Sequence, residues 1–177
     1  MEYRMSRLIV NQIQGDAVSK EIEIPAGHKL KAVDTGAMAA PGTVIQVVQA
    51  VTDTEVAVSA AATWTSLMTG TITPKSSSSK IMIMCSAASL QRNAATIGYK
   101  VRRGSTDLVV QALYSDDTNW AGNSLCLNYL DSPATTSAIT YTWLGYNHGA
   151  TDPLYWNYDN STLESTNASI TLMEIAQ

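Results

Sequence analysis

Along most of this chain apolar side chains recur at every second position or in short runs, and a helical period is nearly absent. Alternation with period two marks a half-buried strand, because successive side chains of a strand point to opposite faces. Runs of Val, Ile, Thr and Tyr, broken by Gly, Pro, Asn, Asp and Ser, predict strands at 44–52, 70–73, 80–89, 96–103, 108–113, 124–130, 139–147 and 169–175. Shorter runs at 56–58 and 154–158 predict two more. The Ala-rich stretch 57–68 is the best helix candidate, yet Val58, Thr63, Trp64 and Thr65 are β-branched or aromatic and argue against it.

Two of these runs say more. In Lys80-Ile81-Met82-Ile83-Met84-Cys85 both faces are apolar. One face can serve a core; the other needs cover from loops or from another subunit. Met82 and Met84 lie on that second face and are the candidate subunit-interface residues. In 139–143, Ile139, Tyr141 and Trp143 face one way and Thr140 and Thr142 the other, which is an ordinary half-buried strand.

Residues 1–42 read differently. Leu8 and Val10 belong to a short apolar stretch, and Glu21-Ile22-Glu23-Ile24 alternates strictly before Pro25 and Gly27 end it. Residues 37–42, AMAAPG, form a small-residue linker. So few large apolar residues cannot bury a core of their own. The segment must pack on copies of itself, on a partner or on the main domain, and docking by strand addition would use Leu8, Val10, Ile22 and Ile24 as its candidate attachment residues. Residues 43–177, with eight or so strands and no helix, are expected to form an all-β, jelly-roll-type β-sandwich.

Composition narrows the function classes. Only 15% of the 177 residues are charged and the net charge is −4, so much of the surface is polar but uncharged, as on surfaces that neighbouring subunits cover. Lys100, Arg102 and Arg103 are the only basic cluster of note, too small for phosphate neutralisation, so no nucleic acid is expected and the cluster reads as a solvated strand end. No apolar run reaches the roughly 20 residues of a membrane span, and Leu8-Ile9-Val10 is too short for a signal-peptide core. Membrane insertion and export are not expected, and the Asn160-Ser161-Thr162 and Asn167-Ala168-Ser169 patterns read as chance matches. Cys85 and Cys126 sit in apolar runs and are expected as buried free thiols. His28 and His148 have no metal-ligand spacing, and no cofactor is implied.

Catalytic motifs are absent from the sequence. Asp116-Asp117 stands in a Ser-Asp-Asp-Thr-Asn turn, where short polar side chains bond their own backbone. Most aromatic residues fall late in the chain. Trp120 lies in an Asp/Asn/Gly-rich stretch, and Tyr155, Trp156 and Tyr158 neighbour Asn157, Asp159 and Asn160. Aromatic planes can stack on sugar rings while amides and carboxylates hold hydroxyls. Trp120, Tyr155, Trp156, Tyr158 and Asn160 are therefore a candidate glycan-binding surface; the plainer alternative is that these rings fill a core or a subunit seam.

Four motifs recur in a telling order: TITPKSSSSKI at 71–81, VRRGST at 101–106, YLDSPATTS at 129–137 followed by Tyr141, and ITLMEI at 170–175. This series resembles the C-terminal domains of tailed-bacteriophage tail-fibre-like and other virion structural proteins, notably of cyanophages. The start, with SRLIVNQIQ and EIEIPAGHKL, resembles the short N-terminal repeats of such fibres. The resemblance covers most of the chain. It implies a homotrimeric jelly roll of the tumour-necrosis-factor type, attachment to the particle through the N-terminus, no catalytic residues, and a virion location after assembly in the host cytoplasm. Its implied partners are copies of itself, other tail or capsid proteins, and a host surface glycan. Long fibres carry extended shafts, whereas about 40 residues precede the predicted sandwich here. A short fibre or knob is the leading expectation, a capsid decoration protein the second, and a glycan depolymerase using paired carboxylates the third.

Overall fold

The computed structural model describes residues 25–28, 40–59, 62–92, 95–115, 120–148, 153–158 and 166–177. The chain divides into two units, Met1–Val33 and Asp34–Gln177. In the first, the described residues form a turn in which the His28 N–H donates to the Pro25 carbonyl at 3.0 Å. Leu8, Val10, Ile22 and Ile24 lie outside the described residues.

The described residues of the second unit form ten strands: β1 (Val44–Thr52), β2 (Val56–Val58), β3 (Trp64–Ile72), β4 (Lys80–Arg92), β5 (Ala95–Arg103), β6 (Thr106–Ser115), β7 (Trp120–Asp131), β8 (Ile139–His148), β9 (Leu154–Trp156) and β10 (Ala168–Ile175). Among the described residues there is no helix. The helix candidate at 57–68 resolves into β2 and the first half of β3, where the β-branched and aromatic residues prevail over the Ala run. The predicted strand at 70–73 is accordingly longer, starting at Trp64.

Every pairing is antiparallel. One sheet runs β1-β10-β4-β7 and the other β3-β8-β5-β6. The chain passes between the sheets in the double Greek-key manner of an eight-stranded jelly roll. Strands β2 and β9 are an addition. Strand β4 has 13 residues. Its first half, to Ser86, pairs with β10; at Ser89 and Leu90 the short β9 takes over and carries β2 outside it.

The core follows the alternation. Ile81, Ile83 and Cys85 of β4, Ile97, Tyr99 and Val101 of β5, Tyr141 and Trp143 of β8, and Ile170 and Leu172 of β10 all turn inward. Fully burying each such aliphatic side chain stabilises the fold by about 1.5–3 kcal/mol. Trp143 meets Trp156 edge to face at 5.3 Å between ring centres, a preferred aromatic geometry. At Gly70 the sheets approach so closely that a Cβ would come within 3.0 Å of Ile170 Cγ2. A larger residue there requires the Ile170 side chain to give way.

Registry also separates the two cysteines. Ser86 of β4 pairs with Cys126 of β7, and Cys85 pairs with Leu127. Neighbouring positions on a strand face opposite ways, so Cys85 enters the core while Cys126 faces out. The expectation of two buried thiols is thus corrected for Cys126. Both are free, and burial, with the Cys126 charge adding to it, pushes the Cys85 thiol up to about 12.

Candidate functional site

Strand register fixes what the outer face of the β1-β10-β4-β7 sheet presents. One row across it reads Val47, Met173, Met82, Leu130. All four are apolar, although directly paired residues share a face and this face is not the core. The next row reads Gln49, Thr171, Met84, Asn128, and the one after it Val51, Ser169, Ser86, Cys126. Val47 is 56% exposed, Val51 55%, Met84 41% and Leu130 41%; Met82 and Met173 are half-buried by their neighbours. Met82 and Met84 thus belong to a sheet face with one apolar row, Val47-Met173-Met82-Leu130, and two rows in which apolar residues alternate with amides and hydroxyls. The two-sided pattern of 80–85 pointed at two of its residues. The rest could not be found without knowing which strands lie side by side.

The outer face of the other sheet mixes charge with apolar groups: Val110 is 58% and Tyr114 72% exposed on β6, opposite Lys100 and Thr96 of β5. Lys100 is 3% exposed, its Nζ 2.9 Å from Asp107 Oδ2 and 4.0 Å from the centre of the Trp64 ring. Arg102 Nε donates to Asp107 Oδ1 at 2.7 Å. Hydrogen bonds from Arg102 and Lys100 hold the Asp107 carboxyl below its usual range. Lys100 is therefore not part of a solvated strand end, as its sequence neighbours suggested. Trp64 covers it, and can do so because the same ring lies over Gly98, where a Cβ would meet Trp64 Cη2 at 3.1 Å. Sequence spacing gave no sign of this, since 34 positions separate Trp64 from Gly98.

Two clamps use the residues of the four ordered motifs. In the first, Glu174 of β10 is fully buried and holds the Ser-rich loop after β3. Its Oε1 accepts from the backbone N–H groups of Lys75 at 2.8 Å and Ser76 at 3.2 Å, and its Oε2 accepts from Gln46 Nε2 at 2.6 Å. Burial pushes the carboxyl up, but the neighbouring Ser79 hydroxyl, Gln46 and the two backbone donors outweigh it and hold it below its usual value. In the second, Tyr141 donates to Asp131 Oδ2 at 2.8 Å and Arg103 Nε lies 2.8 Å from the same oxygen. Burial, and then the bond to Asp131, raise the Tyr141 hydroxyl. So 71–81 is joined to 170–175, and 101–106 to 129–141, by polar contacts.

The aromatic surface predicted from sequence is not assembled as expected. Trp156 is 0% exposed and packs on Trp143, so it cannot stack on a sugar. It faces inward because β9 pairs with β2 and β4 and alternation turns Leu154 and Trp156 to the core. Asn157 is also buried, with a left-handed φ of 53°. Its Nδ2 donates to the carbonyls of Thr52, Thr54 and Thr166 at 3.2, 3.3 and 3.4 Å, which makes it a structural tie. Tyr155 and Tyr158 are half-buried and meet at 5.8 Å between ring centres. Trp120 is not in a loop: it is the first residue of β7, paired with Arg92 at the end of the long β4. Asn160, Asp116 and Asp117 lie outside the described residues.

No family model matches this sequence. No curated protein matches it. Among solved structures, the chain is similar to the crystal structure of the infectious bursal disease virus VP2 subviral particle, at 11% identity and a TM-score of 0.41, over 84% of this chain and 38% of that one. It is similar to two further infectious bursal disease virus structures, those of the Gx strain (TM-score 0.38, 11% identity, 84% and 47% coverage) and the Gt strain (0.36, 11%, 89% and 42%). The chain spans under half the length of each of these neighbours. At these scores the likeness carries no conclusion about this chain.

Proposed function

We propose that this chain is a non-enzymatic structural subunit of a tailed-phage particle, trimeric, displayed on the particle surface and attached through residues 1–42. The observation that carries this reading is the apolar row Val47-Met173-Met82-Leu130 on the outer face of the β1-β10-β4-β7 sheet. A face with such a row on a jelly roll suits a protein that works by being covered. The motif order that resembles phage virion proteins supports the same reading.

Two posts on the particle remain in view, a short fibre or knob and a capsid decoration protein. The fibre reading drew part of its appeal from an aromatic receptor surface, and the burial of Trp156 removes the centre of that surface. This favours the decoration protein, for which aromatics need only fill the core. Quantitative mass spectrometry of purified particles tests the choice. A decoration protein is present at a copy number that follows the capsid lattice; a fibre is present at a few copies per tail. Absence of the chain from purified particles would overturn the whole reading, and release of reducing sugar from host glycan would replace it with the enzymatic one.

A further inference from the structure

We infer that the turn after β1, the end of β9 and the approach to β10 together form a binding site for one Ca²⁺ ion. The inference goes beyond the structural-subunit reading and stands without it. Three observations carry it.

The first is a count of hydrogens. Asn157 Nδ2 lies 3.2, 3.3 and 3.4 Å from the carbonyl oxygens of Thr52, Thr54 and Thr166. An amide nitrogen has two hydrogens, so it cannot give all three carbonyls a full bond. Thr166 Oγ1 lies 3.2 Å from the Asn157 carbonyl oxygen and 3.0 Å from that of Tyr158, and a hydroxyl has one hydrogen. Five carbonyl oxygens therefore share three hydrogens at this place. Lone pairs drawn together with too few hydrogens between them repel, and a cation relieves that repulsion.

The second is the other end of the same side chain. Asn157 is 0% exposed, and its Oδ1 has no hydrogen-bond partner among the described residues. A buried acceptor left unpaired is costly. Half a turn of the amide exchanges Oδ1 with Nδ2 at almost no change in shape. Turned that way, Asn157 sets a fourth oxygen against the three carbonyls, and a cation between them makes the arrangement favourable. Side-chain amide and backbone carbonyl oxygens are ordinary Ca²⁺ ligands.

The third is spacing. Ca²⁺ holds its oxygens at about 2.3–2.6 Å, so two ligands at right angles across it stand about 3.3–3.7 Å apart. The distances from the amide atom to the three carbonyls fall close to the short end of that range. Mg²⁺, with oxygens at about 2.0–2.1 Å, needs about 2.9 Å and rigid octahedral geometry, so it fits poorly. The turn that supplies Thr52 and Thr54 also carries Asp53 and Glu55, both exposed, which raise the local concentration of cations. Thr54 is exposed as well, which gives the ion a path from solvent. Once bound, Ca²⁺ ties the β2-β9 ribbon to the Thr52–Ala168 end of the β1-β10 pair.

The test uses the full chain, stripped with EDTA and dialysed into buffer of constant ionic strength. Equilibrium dialysis against radioactive Ca²⁺ should show one saturable site per chain, with Kd on the order of 10⁻⁴–10⁻³ M, the weak end of Ca²⁺ sites. Equal Mg²⁺ should not displace it. Two variants then locate the site. Asn157→Gly keeps the left-handed backbone and removes the ligand, so it should lose the binding. Asn157→Asp sets a carboxylate against the carbonyls: it should melt below wild type without the ion, bind Ca²⁺ roughly tenfold more tightly because ligand charge sets affinity, and return to the wild-type melting temperature in millimolar Ca²⁺. If Asn157 serves only as a hydrogen-bond donor, the Asn157→Asp deficit is the same with and without Ca²⁺, and that result overturns the inference. Binding unchanged in Asn157→Gly overturns it too, since the ion then sits elsewhere. Absence of saturable binding to the wild type overturns it whatever the variants do.

Discussion

Among single residues, Glu174 has the most to lose. Its carboxylate receives two backbone N–H groups and the Gln46 amide in a fully buried position. Charge-assisted bonds of this kind are stronger than neutral ones, and leaving their partners unpaired costs more still. Glu174→Gln keeps the shape but turns an amide N–H₂ toward donors, and should cost about 1–3 kcal/mol at neutral pH. The pH dependence has a definite sign. The folded carboxyl is depressed below its ordinary 4.5, so its contribution is fully present above the unfolded value and is lost as pH falls through the folded one. Urea unfolding of both proteins from pH 7 downward should show the gap closing on acidification; a constant gap would mean that the charge plays no part. At the same scale the two clamps explain why the ordered motifs contain Arg103, Asp131, Tyr141 and Glu174. Each motif supplies one partner of a contact that its own stretch cannot complete.

Among elements, the β9 ribbon is the departure from a plain eight-stranded jelly roll. It exists because β4 outlasts β10 and leaves edge groups that β9 satisfies. Asn157 ends β9 in a left-handed conformation and ties it to Thr52, Thr54 and Thr166, while its own N–H donates to the Ala88 carbonyl at 2.8 Å. Asn tolerates positive φ better than most residues, and Gly better still. Asn157→Gly should therefore lose only the side-chain bonds, and Asn157→Ala those bonds plus about 1–2 kcal/mol of backbone strain. Thermal unfolding of the pair separates the two costs. If Ala is no worse than Gly, the backbone conformation is not what selects Asn here. The stretch 154–158 looked from its composition like a polar loop carrying rings; its alternation became decisive only once β2 and β4 were found on either side.

For the whole molecule, the sandwich draws its core from within residues 44–176, and Gly42 and Thr43 close it through backbone bonds to Ala176 at 2.8 and 2.9 Å. A chain starting at Pro41 keeps those bonds. It should fold cooperatively and associate as the full chain does, yet fail to join particles, if residues 1–40 are the attachment arm. Circular dichroism melting, light scattering and a particle-incorporation assay check the three parts of that expectation. Normal incorporation would move the attachment surface onto the sandwich; failure to fold would make the arm part of the domain.

The all-β class, the positions of most strands, the inward side of 139–143 and the doubled apolar pattern of 80–85 are properties of the sequence by itself. They follow from a two-residue period, which is local and needs no knowledge of neighbours. What tertiary structure alone decided is everything that depends on which strands lie together. It joined Val47, Met173, Met82 and Leu130 into one row, from positions as far apart as 47 and 173. It sent Cys85 inward and Cys126 outward, put Trp64 over Lys100, and buried Trp156 where composition had suggested a binding ring. A side chain's partner across a sheet is set by register, and register is fixed by packing of the whole sandwich; the local alphabet of polar and apolar positions does not contain it.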